Sequence, residues 1–518
     1  MTTLTGTFRI VRLILKRDGL QLGFWIAALS VVPIGTASAF ISLYPSESER
    51  QALAATVGAS PAISAILGPL YDTSFGGLTA WRTGTIASML LAIMSVLTVV
   101  RHTRVEEETG RRELLSSTVL GRHAQLTAAL FVIVATGLVI AVLIVTGFVG
   151  QKLPLRGAIA FGVGTAAVVL TFAGVGALAA QLTESSSTAR GIGLAIAGGA
   201  FLLRMGGDVG ESSGLGWMSW ASPIGWFTKL RPFGEERWWV APLWLCLAAL
   251  LLSVALVIAA RRDVGAGAFS SRLGPARASR ALLFPLGLGW RLQRGTLFGW
   301  MIGLGMLGMV YGGAGNSIGE MVSSNPQLAS MFEQLGGEQT LIDTYFSVAI
   351  GFIALICSAY AIRSVLRLRA EEEAMRAEPV LATSTSRIHW ALSHMVYGVV
   401  GPVLILAIAG ALAGLVFGLI TNDLGRQVPR VLTAALSQVP AVWVLTGVAA
   451  LLFGLVPHLS SWTWGVLAGC LVAGQLGAIL QFPQWILNLS PFTHVPVLAA
   501  EGVRALPLVV LTAVAAGL

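Results

Sequence analysis

Apolar residues along the chain run in blocks of about 20, the length that crosses a bilayer as a helix, with short polar stretches between them. In the first half such blocks lie near Leu20–Leu43, Gly84–Val100, Leu126–Val149, Gly157–Gln181, Gly191–Leu203 and Val240–Ala260. In the second half they lie near Leu297–Ala314, Tyr345–Ile362, Val396–Ile420, Val431–Val456 and Trp462–Leu480. A last block starts at Leu506 and has only about a dozen residues before Leu518, short of a full crossing, so the chain is expected to continue or to have been trimmed. The predicted fold is all-α: a polytopic membrane protein of about 12 transmembrane helices, arranged as two six-helix pseudo-repeats. Residues 1–260 form the first half, 261–294 a basic linker and 295–518 the second half.

The polar stretches carry their own pattern. Ahead of the first block, Phe8, Val11, Leu13, Ile14 and Leu15 interleave with Arg9, Arg12, Lys16 and Arg17. That suits a basic amphipathic helix on the inner leaflet, or a solvated lead-in to the first span. A long loop with Pro45, Pro61 and Pro69 follows the first block. Before the sixth and twelfth blocks stand Ser222-Pro223-Ile224-Gly225-Trp226 and Ser490-Pro491-Phe492-Thr493-His494. Each is either an aromatic belt at the interface or a segment that dips inward and returns.

Composition fits lipid as the solvent. The chain is 55% hydrophobic and 11% charged, with a mean hydropathy of +0.80, whereas a soluble domain is about a quarter charged. The long apolar runs exclude a β-barrel, whose strands alternate over about ten residues. Cys246, Cys357 and Cys470 all lie in apolar runs and have neither disulfide nor metal-ligand spacing. Arginine placement orients the chain with its N-terminus in the cytoplasm. The segment 315–344 carries Glu320, Glu333, Glu338 and Asp343 and no basic residue, as an outer loop should. The net charge of +9 therefore reads as topology and contact with anionic lipid, and gives no reason to invoke nucleic acid.

Two charged stretches repeat. Sliding one half onto the other pairs Arg104 with Arg369, and Glu106, Glu107 and Glu108 with Glu371, Glu372 and Glu373. The same offset pairs Arg111 with Arg376, Glu113 with Glu378, Thr118 with Thr383 and Arg122 with Arg387. Trp25 and Trp300 head the first spans of the two halves. Solvation alone does not require one order of charges twice. Both stretches fall on the inner side, and the first, with Leu114-Leu115, can form a short helix that docks on a soluble partner. Two copies imply a partner with two equivalent sites.

Chemistry within the chain itself is sparse. Lys16, Lys152 and Lys229 are its only lysines, and none stands in a GxxxxGK[ST] phosphate loop. No Asp, Glu, Lys or Arg falls inside the predicted spans, and His102, Arg204 and His394 sit at their edges. This argues against proton coupling, which needs a titratable group in the membrane. It also argues against intramembrane catalysis and a metal site.

The pattern Glu106-Glu107-Glu108-x-Gly110-Arg111-x-Glu113-Leu114-Leu115, with Arg122 following, resembles the coupling region of bacterial ABC-2-type permeases, in particular the fused two-halved permeases that export polyketide antibiotics and other drugs. The resemblance spans nearly the whole chain. The second copy departs from it, with Ala374-Met375 in place of Thr-Gly and Pro379-Val380 in place of Leu-Leu. The resemblance implies a bacterial inner-membrane, multi-pass permease whose ATPase is a separate cytoplasmic subunit, bound as a homodimer, with ATP and Mg on that partner and no cofactor in this chain. It implies that Glu106, Glu107, Glu108, Arg111, Glu113 and Arg122 couple to one ATPase copy. Glu371, Glu372, Glu373, Arg376, Glu378 and Arg387 would couple to the other. It implies a substrate path along the second and fifth spans of each half, with Met89, Met94, Phe352 and Gln475 as candidates. An apolar path suits a small hydrophobic or amphipathic drug. The rival is a proton-driven efflux transporter of the major facilitator type, which shares a Gly-Arg-Arg loop after the second span, as in Gly110-Arg111-Arg112, but wants an Asp-Arg pair and embedded charges.

Overall fold

The computed structural model describes residues 3–518 except 59–60, 112, 114–119, 212–213, 264, 270–275, 278, 324–337, 477–482 and 497–504. Every regular element among the described residues is helical, and ten helices are long and apolar enough to span a membrane. The chain divides into two compact units, Met1–Gly274 and Pro275–Leu518.

In the first unit α1 (Thr7–Leu43) is one unbroken helix, so the amphipathic lead and the first span are a single element. Ile10, Ile14, Asp18 and Leu22 fall four apart on one face. Ile10, Val11, Ile14 and Leu22 pack on Ala124, Ala128 and Val132 of the third span. The lead's apolar face is thus buried in protein, while Phe8 and Leu20 stay exposed. The proline-rich loop is itself helical, with α2 (Glu47–Gly58) and α3 (Pro61–Leu67). The second span, α4 (Phe75–Val100), starts nine residues earlier than its apolar block, capped by Ser74, whose hydroxyl accepts from the Gly77 amide at 3.1 Å.

Next come α5 (Ala124–Gly150), α6 (Leu155–Leu182) and α7 (Ser186–Val209). α8 (Trp217–Trp220) and α9 (Gly225–Leu230) are short, and α10 (Ala241–Arg261) closes the unit. α6 is the hub: it packs on α4, α5, α7 and α10. Phe227 of α9 sits buried against Gly84 of α4 and Gly164 of α6, where a side chain would clash with its ring. The Ser222-Pro223 segment therefore turns inward, while Trp217 and Trp239 on either side remain exposed.

The second unit contains α11 (Pro285–Ser323), α12 (Glu338–Glu373), α13 (Ala377–Leu381) and α14 (Arg387–Ile420). α15 (Leu424–Ser437), α16 (Val439–Leu455), α17 (Thr463–Leu476), α18 (Gln484–Leu487) and α19 (Ala505–Gly517) follow. α11 and α14 pack closely. At Gly308 and Gly312 an added Cβ would stand 2.3 and 2.2 Å from the carbonyl oxygens of Ala409 and Ala413. Small residues four apart on both helices let the backbones approach. Phe492 packs with Leu355, Leu445 and Cys470, so the Ser490-Pro491 segment also turns inward. All six predicted spans of the first unit coincide with spanning helices, and four of the second do. α17 and α19 are shorter among the described residues, next to 477–482 and 497–504, which lie outside them.

One sequence expectation is corrected. The spans do hold charge, because the helices outrun their apolar blocks. α7 continues past Leu203 and buries Arg204 and Asp208 completely, 3.2 Å apart. Arg204 also caps α3 through the carbonyls of Ala65 and Ile66, and the Ser219 hydroxyl donates to Asp208 at 2.6 Å. Hydropathy stops at the first charge, whereas the helix stops only when its backbone finds other partners.

Candidate functional site

The first charged stretch continues the second span past its apolar block, still helical. After Val100 the helix widens into a π turn, Arg101–Val105, then adds Glu106–Glu108 and ends at Thr109. Gly110 takes a left-handed conformation, φ 71°, the ordinary stop for a helix. The chain then folds back, leaving Arg111 3.6 Å from Glu106.

The second stretch ends the same way. α12 runs to Glu373, Met375 is left-handed at φ 55°, and Arg376 folds back to Glu371 at 2.7 Å. Met375 is the counterpart of Gly110 in the sequence repeat, so both turns share one backbone although only one carries glycine. The Ala374-Met375 replacement does not alter the turn. Pro379 lies in the first turn of α13, where its missing N–H costs little. Leu114-Leu115 and Thr118 lie outside the described residues.

Three of the acidic residues, Glu106, Glu107 and Glu371, face inward. Glu107 sits between Arg104 at 2.5 Å and Arg262 at 2.8 Å, and all three are nearly buried. Arg104 also donates to the carbonyls of Glu184, Gly265 and Ala266. This triad ties the end of α4 to the α6–α7 junction and to the chain after α10. Glu106 accepts from Arg17 of α1 at 2.7 Å. The Glu108 carboxylate accepts from the Ser186 amide at 3.0 Å and so caps α7. Asp18 of α1 lies 2.7 Å from Arg101 and 3.1 Å from His102. In the second unit Arg369 bonds Glu373 at 2.6 Å, the Pro457 carbonyl at 2.7 Å and Ser460 at 2.8 Å. Arg104 and Arg369, counterparts in the repeat, each hold the junction between the fourth and fifth spans of their unit.

Outward faces remain. Glu108, Arg111 and Glu113 are exposed on the first turn, and Glu372, Glu373, Arg376 and Glu378 on the second. Arg122 and Arg387 are also exposed; Arg122 donates to the Ala260 carbonyl and Arg387 begins α14. The path candidates are scattered. Met94 is fully buried in the first unit's core, Met89 and Phe352 are half-buried, and Gln475 lies on α17 with its side chain outside the described residues. Reasoning from sequence missed Arg17, Asp18 and Arg262, the partners that fix the turn. Arg17 and Arg262 lie 89 and 155 residues from the carboxylates they hold, Asp18 lies 83 from Arg101, and no local pattern announces such pairings.

Comparison with known proteins decides the family. The chain is 40% identical over 516 residues to the multidrug efflux system permease protein Rv1217c of Mycobacterium tuberculosis (strain ATCC 25618 / H37Rv), covering 99% of this chain and 93% of that protein. The chain belongs to the multidrug efflux system permease family. The family description "Multidrug efflux system permease Rv1217c, C-terminal domain" matches residues 282–518 of the permease. The permease is thus a multi-pass protein of the bacterial inner membrane and a transport component.

Proposed function

We propose that the permease is the membrane subunit of an ABC exporter of the fused ABC-2 type, moving hydrophobic or amphipathic drugs out of the cell. A homodimer of a separate cytoplasmic ATPase, carrying ATP and Mg, docks on the two charged turns. One observation carries the reading: each turn ends its helix in a left-handed residue and closes it with an ion pair, Glu106 with Arg111 and Glu371 with Arg376. A symmetric partner needs two alike surfaces, and the positive-inside rule puts both in the cytoplasm. The inward network makes each turn a rigid end of its span, so a push on the exposed charges tilts the helix rather than bending a loop.

The experiment uses the outward residues only. Reversing Glu113, or Glu372 and Glu378, in the permease assembled with its ATPase should abolish drug-stimulated ATP hydrolysis while the permease unfolds at the wild-type temperature. Full stimulation in both variants would sink the docking claim. A second reading, proton-driven efflux, has the buried Arg204–Asp208 pair in its favour. Ser219 and the α3 carbonyls hold that pair in place, which suits a structural clamp better than a proton relay.

A further inference from the structure

The lead of α1 has two faces of opposite kind. Ile10, Val11, Ile14 and Leu22 are buried against Ala124, Ala128 and Val132. At about 100° per residue, Arg9, Arg12 and Lys16 fall within roughly 60° of one another on the opposite side. All three are exposed. Among the described residues none bonds to their side chains or pairs with their charge. Matters differ further along the helix, where Arg17 pairs with Glu106 at 2.7 Å, and Arg101 and His102 take Asp18. Residues 1–17 contain no Asp or Glu, and Asp18 is turned to the buried face, so the lead supplies no counter-charge of its own.

Apolar side chains border these cations on both sides. Phe8 and Leu15, seven residues apart, line one edge of the stripe, and Leu13 and Leu20, also seven apart, line the other. All four are exposed, Phe8 at 75% and Leu20 at 95%. A helix on a membrane surface ordinarily sinks its apolar face into lipid. Here that face is taken by protein, so the side left to meet the bilayer is cationic with an apolar border. α1 has 37 residues, about 55 Å of helix against a hydrocarbon layer of about 30 Å. Its charged end therefore reaches the headgroups, on the side that the positive-inside rule assigns to the cytoplasm.

We propose that this face binds anionic phospholipid headgroups of the inner leaflet. Arg9, Arg12 and Lys16 hold the phosphates, and the bordering apolar side chains lie along the upper acyl chains. Charge alone would suit an acidic protein surface equally well; four exposed apolar side chains set among the cations favour lipid. Arg17 and Asp18 join the same helix to the end of α4, so the lipid contact steadies the first charged turn as well. The contact does not depend on the docking reading.

The test uses the full chain purified in neutral detergent, with lipid retention counted by native mass spectrometry and phosphatidylglycerol and phosphatidylcholine as probes. Wild-type protein should retain phosphatidylglycerol in clear preference, and the preference should shrink as salt is raised. Arg12→Gln alone should lower it about fivefold, the worth of one cation near an anionic surface. Arg9→Gln, Arg12→Gln and Lys16→Gln together should remove it at an unchanged unfolding temperature, because the positions are exposed. Arg12→Lys keeps the charge and should keep the preference. An undiminished preference in the triple variant would overturn the proposal. So would a triple variant that keeps phosphatidylglycerol but no longer binds the ATPase, since the face would then belong to a protein partner.

Discussion

Glu107 and Glu113 look interchangeable as letters in an acidic stretch, yet their surroundings differ in kind. Glu107 is 4% exposed and bonded to two arginines, themselves 1% and 8% exposed. Removing its charge strands two buried guanidinium groups, a loss of about 3–5 kcal/mol. Glu113 is exposed, and an exposed change costs within about 0.5 kcal/mol. Glu107→Leu should therefore lower the thermal unfolding temperature sharply and Glu113→Leu hardly at all. Equal effects would mean that the triad does not hold the turn. A second residue contrast concerns the left-handed pair. Gly110→Ala should destabilise by about 1 kcal/mol, while Met375→Gly should cost nothing or stabilise slightly, because methionine already bears the strain there. Chemical unfolding of the three proteins checks both signs. The sequence alone shows which residues repeat, since order is a local property. Which carboxylates face inward depends on Arg17 and Arg262, far along the chain, and was beyond its reach.

Helix boundaries show how the bilayer and the backbone set different limits. The apolar blocks were legible because a hydrocarbon slab demands about 20 apolar residues whatever the fold. The helices run on into polar ends because capping and ion pairing satisfy them there: Ser74 starts α4 early, and Arg204 with Asp208 carries α7 beyond Leu203. The contact of α11 with α14 was not legible, because its glycines are scattered among many that face nothing. It yields a test at this scale. Gly308→Leu forces a side chain into the Ala409 backbone and should cost about 1–3 kcal/mol or more by overpacking. Gly299→Leu, one of the glycines with open space, should be tolerated. Folded yield and unfolding temperature in detergent separate the two, and equal tolerance would show that the helices do not approach so closely.

At the scale of the whole molecule the question is where energy enters. The chain holds no phosphate loop, so ATP must be hydrolysed elsewhere if it drives transport. The buried Arg204–Asp208 pair keeps proton coupling open as chemistry, and the two drives predict different behaviour in vesicles. With the ATPase dimer and ATP supplied, drug export should persist after a protonophore collapses the proton gradient. The permease without its ATPase should neither hydrolyse ATP nor export drug. Asp208→Asn should act as loss of a clamp does: it leaves Arg204 buried beside a neutral amide, lowers stability, and leaves the protonophore response unchanged. Export that stops with the protonophore while ATP remains, and is already lost in Asp208→Asn, would place the drive in α7. The charged turns would then be structural ends of their spans, and their exposed residues could be reversed without effect on transport.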